Sequence, residues 1–365
     1  GPSYRQTLRD RVVNVINQMA HELCQSVRAE LEQIADFVVV GNTAMHHLFT
    51  GLVVRQLGEA PYVPALRGAL HFPAREIGLK GAPGAAVYLP PNIAGYVGAD
   101  HTAMLLASGL DGTDENALAL DIGTNTEISL AKRGKLVSCS CASGPAFEGA
   151  HIHAGMRAVP GAIERAEFHL GEWLLSTIDD APPVGICGSG ILDIVATLLK
   201  SGQIDTAGRF TESALRLIVY PQGGAIVLVP AEQSGTGKDI LVTRSDVREI
   251  QLAKAAIRAG VEALLRATDT RVEEIERFIV AGAFGTYLQV DSAVKIGMFA
   301  SLPRNRYQQI GNAAGVGAQQ MLVSQTARQA AEEIKKKMDY IELTTDPGFM
   351  ESYVEAMAFD QPEEK

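Results

Sequence analysis

Cysteine, aromatic residues and positive charge are all scarce in this chain, and each shortage closes off a class of protein. Four cysteines, Cys24, Cys139, Cys141 and Cys187, supply neither a disulfide framework nor a Cys-x-x-Cys pair of zinc-site spacing. Reduced thiols of a reducing compartment account for them. Cys139 and Cys141 alternate along a predicted strand and so point one way, which leaves a metal shared with Cys187 open; burial as small hydrophobes is the alternative. His151 and His153 lie two apart with no third ligand at recognisable spacing, so solvent-facing or hydrogen-bonded imidazoles are the simpler reading. The 32 basic residues fall short of the 42 acidic ones, and a net charge of −10 opposes attraction to a phosphate backbone; no nucleic-acid partner is expected. No apolar run reaches the roughly 20 residues that cross a bilayer, and no charged-then-apolar leader opens the chain. A soluble, cytoplasmic protein with no membrane attachment is expected. The opening Gly-Pro-Ser looks like a protease-cleavage scar, which implies a longer natural protein.

Glycine is abundant instead. With 36 glycines and 47% hydrophobic residues, the chain can bury two ordinary cores joined by many tight turns. The polar stretch 111–116 is the best lobe boundary and divides the chain into 1–110 and 111–365. Apolar residues at Leu8, Val12, Val15, Ile16, Met19, Leu23, Val27 and Leu31 predict one long helix from Tyr4 to Gln33. A β-branched run, 36–40, ends at Gly41, and Asn42-Thr43 can cap a helix over 44–52. Six prolines between 57 and 91 predict a long irregular excursion. A small-residue helix follows over 101–108, with Asp100 at its mouth. Further helices are predicted over 188–200, where Asp193 reads as a first-turn acid, over 245–268 with Ser245 or Asp246 as cap, from Gly311 to Met321, and over 348–359 behind Asp346-Pro347.

The chemistry concentrates at Ala117–Leu130. Four apolar residues run into Asp121, Gly123 and the polar string Thr124, Asn125, Thr126 and Glu127 make a tight turn, and alternation resumes at Ile128 and Leu130. This is a β-hairpin whose tip offers backbone N–H groups, hydroxyls and an amide to a phosphate, with Asp121 placed to hold Mg²⁺ or orient a water. An ordinary polar hairpin would share these features. Gly188, Ser189 and Gly190 at a helix start are a second potential phosphate site, although close helix packing explains them equally. Val280-Ala281-Gly282-Ala283-Phe284-Gly285 is a buried strand ending in a glycine turn, where an adenine ring can lie against bare backbone. Strand, glycine turn and helix recur four times along the chain.

These residues carry a family likeness. Asp121-Ile122-Gly123-Thr124-Asn125-Thr126-Glu127, the turn at 280–285 and Gly311-Asn312-Ala313-Ala314-Gly315 resemble the second-phosphate, adenosine and second-connecting motifs of the acetate and sugar kinase, Hsc70 and actin superfamily. More narrowly, Val40-Gly41-Asn42-Thr43-Ala44-Met45, Pro90-Pro91-Asn92-Ile93-Ala94-Gly95-Tyr96-Val97-Gly98-Ala99-Asp100, Ser143-Gly144-Pro145-Ala146-Phe147-Glu148-Gly149 and Cys187-Gly188-Ser189-Gly190 look like the reductive activators of corrinoid proteins. The likeness runs from about Ile34 to Phe359.

The resemblance implies an α/β, actin-like (ribonuclease H-like) two-lobed fold with mixed sheets flanked by helices. It implies an ATP-dependent activase that returns a corrinoid protein of a methyltransferase system from Co(II) to Co(I), and a homodimer. Asp121, through the Mg²⁺ of the nucleotide, and Asp100, as a water-orienting base, would be catalytic. Gly123, Thr124, Asn125, Thr126, Glu127, Gly188, Ser189, Gly282, Gly285 and Gly315 would bind ATP. From its run of small residues, the loop 138–149, with Ser140, Ser143 and Phe147, is the candidate contact with the corrinoid protein. Members of the family also carry an Asp-x-Gly-Thr first-phosphate hairpin before the long helix and, upstream of it, the cysteines of a [2Fe-2S] domain. Neither is in this sequence, so a truncated chain with a partial first lobe is expected. A small-molecule kinase of the same superfamily and a non-catalytic interaction module are the alternatives.

Overall fold

A computed structural model describes residues 2–360, so Gly1 of the opening Gly-Pro-Ser lies outside the described residues. The chain forms two compact units. The first takes residues up to Ala119, together with Ser129–Ser138 and Asn312–Tyr340; the second takes Leu120–Ile128, Cys139–Gly311 and the residues from Ile341 onward. The polar linker 111–116, read from the sequence as a lobe boundary, thus falls inside the first unit.

In the first unit the long helix is Pro2–Val27. It stops short of Gln33 because Arg28 turns into the left-handed region at φ 57, and residues 31–33 form a separate single turn. Val13 of this helix packs with Phe49, Leu79, Val87 and Leu89. Burial of each such side chain is worth about 1.5–3 kcal/mol. Their strands form a three-stranded sheet in the order Asp36–Val38, Ala86–Leu89, Leu70–Pro73, so the proline-rich excursion contains two strands. The helices Ala99–Ser108 and Ala313–Val323 pack so closely that a Cβ on Gly317 would lie 2.0 Å from the Ala103 carbonyl oxygen. Helix Gln325–Lys337 returns to the small sheet through Arg328, which is 7% exposed. Its guanidinium pairs with Asp36, donates to the Met321 carbonyl at 2.7 Å and lies 4.7 Å above the Tyr88 ring.

A six-stranded sheet has the order Tyr307–Gly311, Arg277–Ala281, Ala117–Ile122, Thr126–Lys132, Lys135–Cys141, Met338–Tyr340. Within the second unit, Arg244–Ala267 is the clearest helix. Its cap is Thr243 rather than Ser245 or Asp246: the Asp246 N–H donates to the Thr243 hydroxyl at 3.1 Å, and the Thr243 N–H donates to the Asp246 carboxylate at 2.8 Å. Lys254 of this helix is 1% exposed. Its ammonium donates to the Ala358 carbonyl and faces the Phe359 ring at 5.4 Å, while Gln251 donates to the Met357 carbonyl at 2.9 Å. Those claims on residues 357–359 end the last helix early, at Phe349–Glu355 instead of 348–359. No helix among the described residues is long and apolar enough to cross a membrane.

Candidate functional site

Strand Ala117–Ile122 is buried because apolar residues fill it on both faces, and the chain then turns within 123–125. The turn is fixed internally. The Gly123 N–H donates to the Asn125 carbonyl at 3.2 Å, and the Gly144 N–H to the Thr124 carbonyl at 2.9 Å. Thr126, fully buried, shares a 2.8 Å hydrogen bond with the Ser143 hydroxyl, which also donates to the Gly123 carbonyl at 3.0 Å. Of residues 121–127, only Thr124 and Asn125 are exposed. Thr124 donates its hydroxyl to the Glu148 carboxylate.

Asp121, at the strand's end, faces the second glycine turn. Ala281 caps the short helix Gly282–Tyr287, and Gly282 has φ +90. A Cβ built on Gly282 would lie 2.8 Å from the Asp121 carboxylate oxygen and 3.0 Å from the Ile122 carbonyl oxygen. Only glycine fits there, both for its φ and for this approach. Gly285 sits on Val280, 2.9 Å from a built Cβ, and the Gln309 side-chain amide holds the Gly285 and Leu288 carbonyls at 2.6 and 3.0 Å. The second unit therefore brings Asp121, Gly123, Thr124, Asn125 and Gly282 together. A bare-backbone cradle beside a carboxylate, with exposed hydroxyl and amide donors, fits the triphosphate and Mg²⁺ of a nucleotide.

Other expected site residues are placed differently. A Cβ on Gly188 would lie 1.8 Å from the Phe147 carbonyl oxygen, and one on Gly190 2.0 Å from the Ile163 carbonyl oxygen. Ser189 is 5% exposed and shares a 3.3 Å contact with the Cys187 thiol. Close packing against Phe147 and Ile163 accounts for both glycines. Thr126 and Ser143 turn their hydroxyls inward to each other, and Phe147 is buried in a stack on Phe284 at 4.5 Å and 15°. Ser140, half-buried, donates to Glu127 at 3.3 Å. Asp193 is not a first-turn acid: it is buried in the body of Gly188–Lys200, accepts from the Ala166 N–H at 3.2 Å and the Ser292 hydroxyl, and burial raises its pKa.

Asp100 and Gly315 belong to the first unit. Asp100 is the second residue of helix Ala99–Ser108, where the Ala99 and Asp100 N–H groups both reach the Gly41 carbonyl, at 3.1 and 3.3 Å. Burial raises its pKa, opposed by the His101 N–H that it accepts at 2.9 Å. A raised carboxyl pKa suits a base. The Gly315 N–H caps its own helix on the Asn312 side chain at 2.9 Å. Among the described residues, no group of three or more metal-ligating side chains exists, and burial pushes the Cys139 and Cys141 thiols up, away from the thiolate a metal requires.

Gln309 and Glu148 are the contacts that the sequence did not single out for these roles. Gln309 stands in the edge strand Tyr307–Gly311 and gives no signal; Glu148 entered the sequence reading only as part of the motif 143–149.

This fold and hairpin are those of an actin-like domain of the ASKHA type. Residues 115–365 match the family model described as the C-terminal domain of RACo, the ASKHA domain, and residues 2–113 match the RACo middle region. The chain belongs to the RACo family. It is 34% identical over 364 residues to the corrinoid activation enzyme RamQ of Eubacterium limosum, covering 97% of this chain and 61% of that protein. It is 27% identical to the [Co(II) methylated amine-specific corrinoid protein] reductase of Methanosarcina barkeri, covering 94% of this chain and 68% of the relative. The solved structure of a reductive activator for corrinoid, iron-sulfur protein superposes with a TM-score of 0.88 at 39% identity, covering 98% of this chain and 58% of that one. The chain thus spans about three fifths of two of these three relatives.

Proposed function

We propose that this chain is the nucleotide-handling and corrinoid-protein-docking part of an ATP-dependent reductive activator, which returns cobalt from Co(II) to Co(I) by one electron. The observation that carries the reading is the Asp121 carboxylate set against bare Gly282 beside the exposed Thr124–Asn125 tip, in a chain whose relatives are named for corrinoid activation and reduction. Asp121 would hold the Mg²⁺, Thr124 and Asn125 the phosphates beside the bare Gly123, whose own N–H goes to the Asn125 carbonyl, and Gly282 with Gly285 the adenine side. When bound, ATP supplies free energy that docking can spend on an otherwise uphill reduction, since about 59 mV of shortfall in a one-electron step costs a factor of ten. The electron would come from a [2Fe-2S] centre outside this sequence.

The lobes 1–110 and 111–365, a homodimer and a cytoplasmic setting belong to the same proposal. The partner surface is placed on the loop 138–149, through exposed Ala142 and half-buried Ser140, Gly144 and Pro145, since Ser143 and Phe147 are turned inward. A small-molecule kinase is the less supported reading, because none of the three relatives is named as one. Titration calorimetry with ATP and Mg²⁺ tests the proposal, on this chain and on one extended to its relatives' length. Heat from at least the extended chain is expected, together with Co(I) spectra when a reductant and a corrinoid protein are added. Absence of heat from both supports a non-catalytic module instead.

A further inference from the structure

Thr124 is one of two exposed side chains at the hairpin tip, and its single hydroxyl proton is given to the Glu148 carboxylate. While that bond stands, Thr124 has no proton for a phosphate oxygen. The other hydroxyls of the neighbourhood, Thr126 and Ser143, are engaged with each other and with the turn's carbonyls. An anion is therefore already seated on the donor that an incoming phosphate would need.

The backbone beneath Glu148 is fixed. Glu148 ends the single turn Pro145–Glu148, between Gly144 at φ 76 and Gly149 at φ 80. A Cβ on Gly149 would lie 2.6 Å from the Met156 carbonyl oxygen, and neighbouring Phe147 is pinned between Phe284 and Gly188. The side chain of Glu148 is exposed, so it is the part free to swing.

We propose that Glu148 is a built-in competitor for the nucleotide's phosphate, holding the Thr124 hydroxyl until ATP displaces it. This rests on the nucleotide reading of the hairpin and adds to it a residue that sets affinity. The carboxylate swings into solvent as phosphate arrives, and Thr124 passes its proton's hydrogen bond from one anion to the other with no covalent change.

The test is calorimetric titration of ATP, with and without Mg²⁺, into the wild-type chain extended to its relatives' length and into its Glu148→Gln, Glu148→Ala, Thr124→Val and Glu148→Ala/Thr124→Val variants. Removing the competitor should tighten binding about two- to fivefold, the scale of an exposed charge interaction, with Gln between Ala and wild type. Thr124→Val should weaken binding, and in that background the gain from Glu148→Ala should shrink. Unchanged binding in both Glu148 variants would overturn the proposal. So would weaker binding confined to the Mg²⁺ titration, which would instead make Glu148 a ligand of the cation. Heat from no protein, wild type included, would remove the nucleotide reading itself. Thermal melts of each variant show that the folded protein is being titrated, and Glu148→Gln serves should the Ala variant fail to fold.

Discussion

The Asp121 carboxylate and Gly282 approach so closely that a methyl group on Gly282 would lie 2.8 Å from the acid's oxygen. Two sequence segments more than a hundred residues apart thereby form one cradle. Gly282→Ala should cost about 1–3 kcal/mol through its φ of +90 and the clash. It should also weaken ATP binding at least tenfold, which calorimetry beside a thermal melt will separate.

Asp121→Asn keeps the shape of the side chain and removes its charge. The melt should stay within a few degrees of wild type while Mg²⁺-dependent binding and corrinoid activation by the full-length protein are lost. Full activity would take Asp121 out of the mechanism.

Gly188→Ala tests whether that turn packs or binds. Its Cβ would meet the Phe147 carbonyl at 1.8 Å, so overpacking should destabilise the protein by about 1–3 kcal/mol or more. ATP affinity of the remaining folded protein should hardly change. A large loss of affinity with an unaltered melt would return Gly188 to the nucleotide site.

His46 is 3% exposed, both its ring nitrogens lack a hydrogen-bond partner among the described residues, and burial with the neighbouring His47 lowers its pKa to about 4. The unfolded chain takes up a proton near 6.5 that the folded one refuses until about 4, so stability falls as pH drops through that window. His46→Leu should flatten this acid loss and raise stability at pH 7 by about 1 kcal/mol, the order of an unsatisfied polar group. Urea titrations at pH 7 and 4.5 check it.

Lys254 runs the same logic on a base. Burial lowers its pKa from 10.5 to about 8, so between those values the unfolded chain holds the extra proton and stability rises with pH. Relative to Lys254→Met, wild type should gain about 1–3 kcal/mol from pH 7.5 to 10. Denaturant unfolding at the two pH values measures it.

What could be read in advance follows from which forces are local. The hairpin was legible because a buried apolar run ending in Asp121 and Gly123 can do little else, whereas the Asn312 cap, one residue inside the helix start expected at Gly311, was not. The direction of the Thr126 and Ser143 hydroxyls was not, because each is decided by the other across 17 residues. Asp193 misled because its partners, Ala166 and Ser292, come from other elements. Strand Met338–Tyr340 is three residues long and pairs only with a distant neighbour, Lys135–Cys141, so no periodicity announces it.

The pairing of Arg328 with Asp36 bridges 292 positions of sequence. On the ribosome the early sheet emerges long before its guanidinium does, so the first unit has to wait, partly assembled, while the 292 positions between the two residues are translated. A chain ending near residue 310 would accordingly leave the half-buried Asp36 carboxylate without its counterion, and the product should be a client for chaperones rather than a smaller working domain.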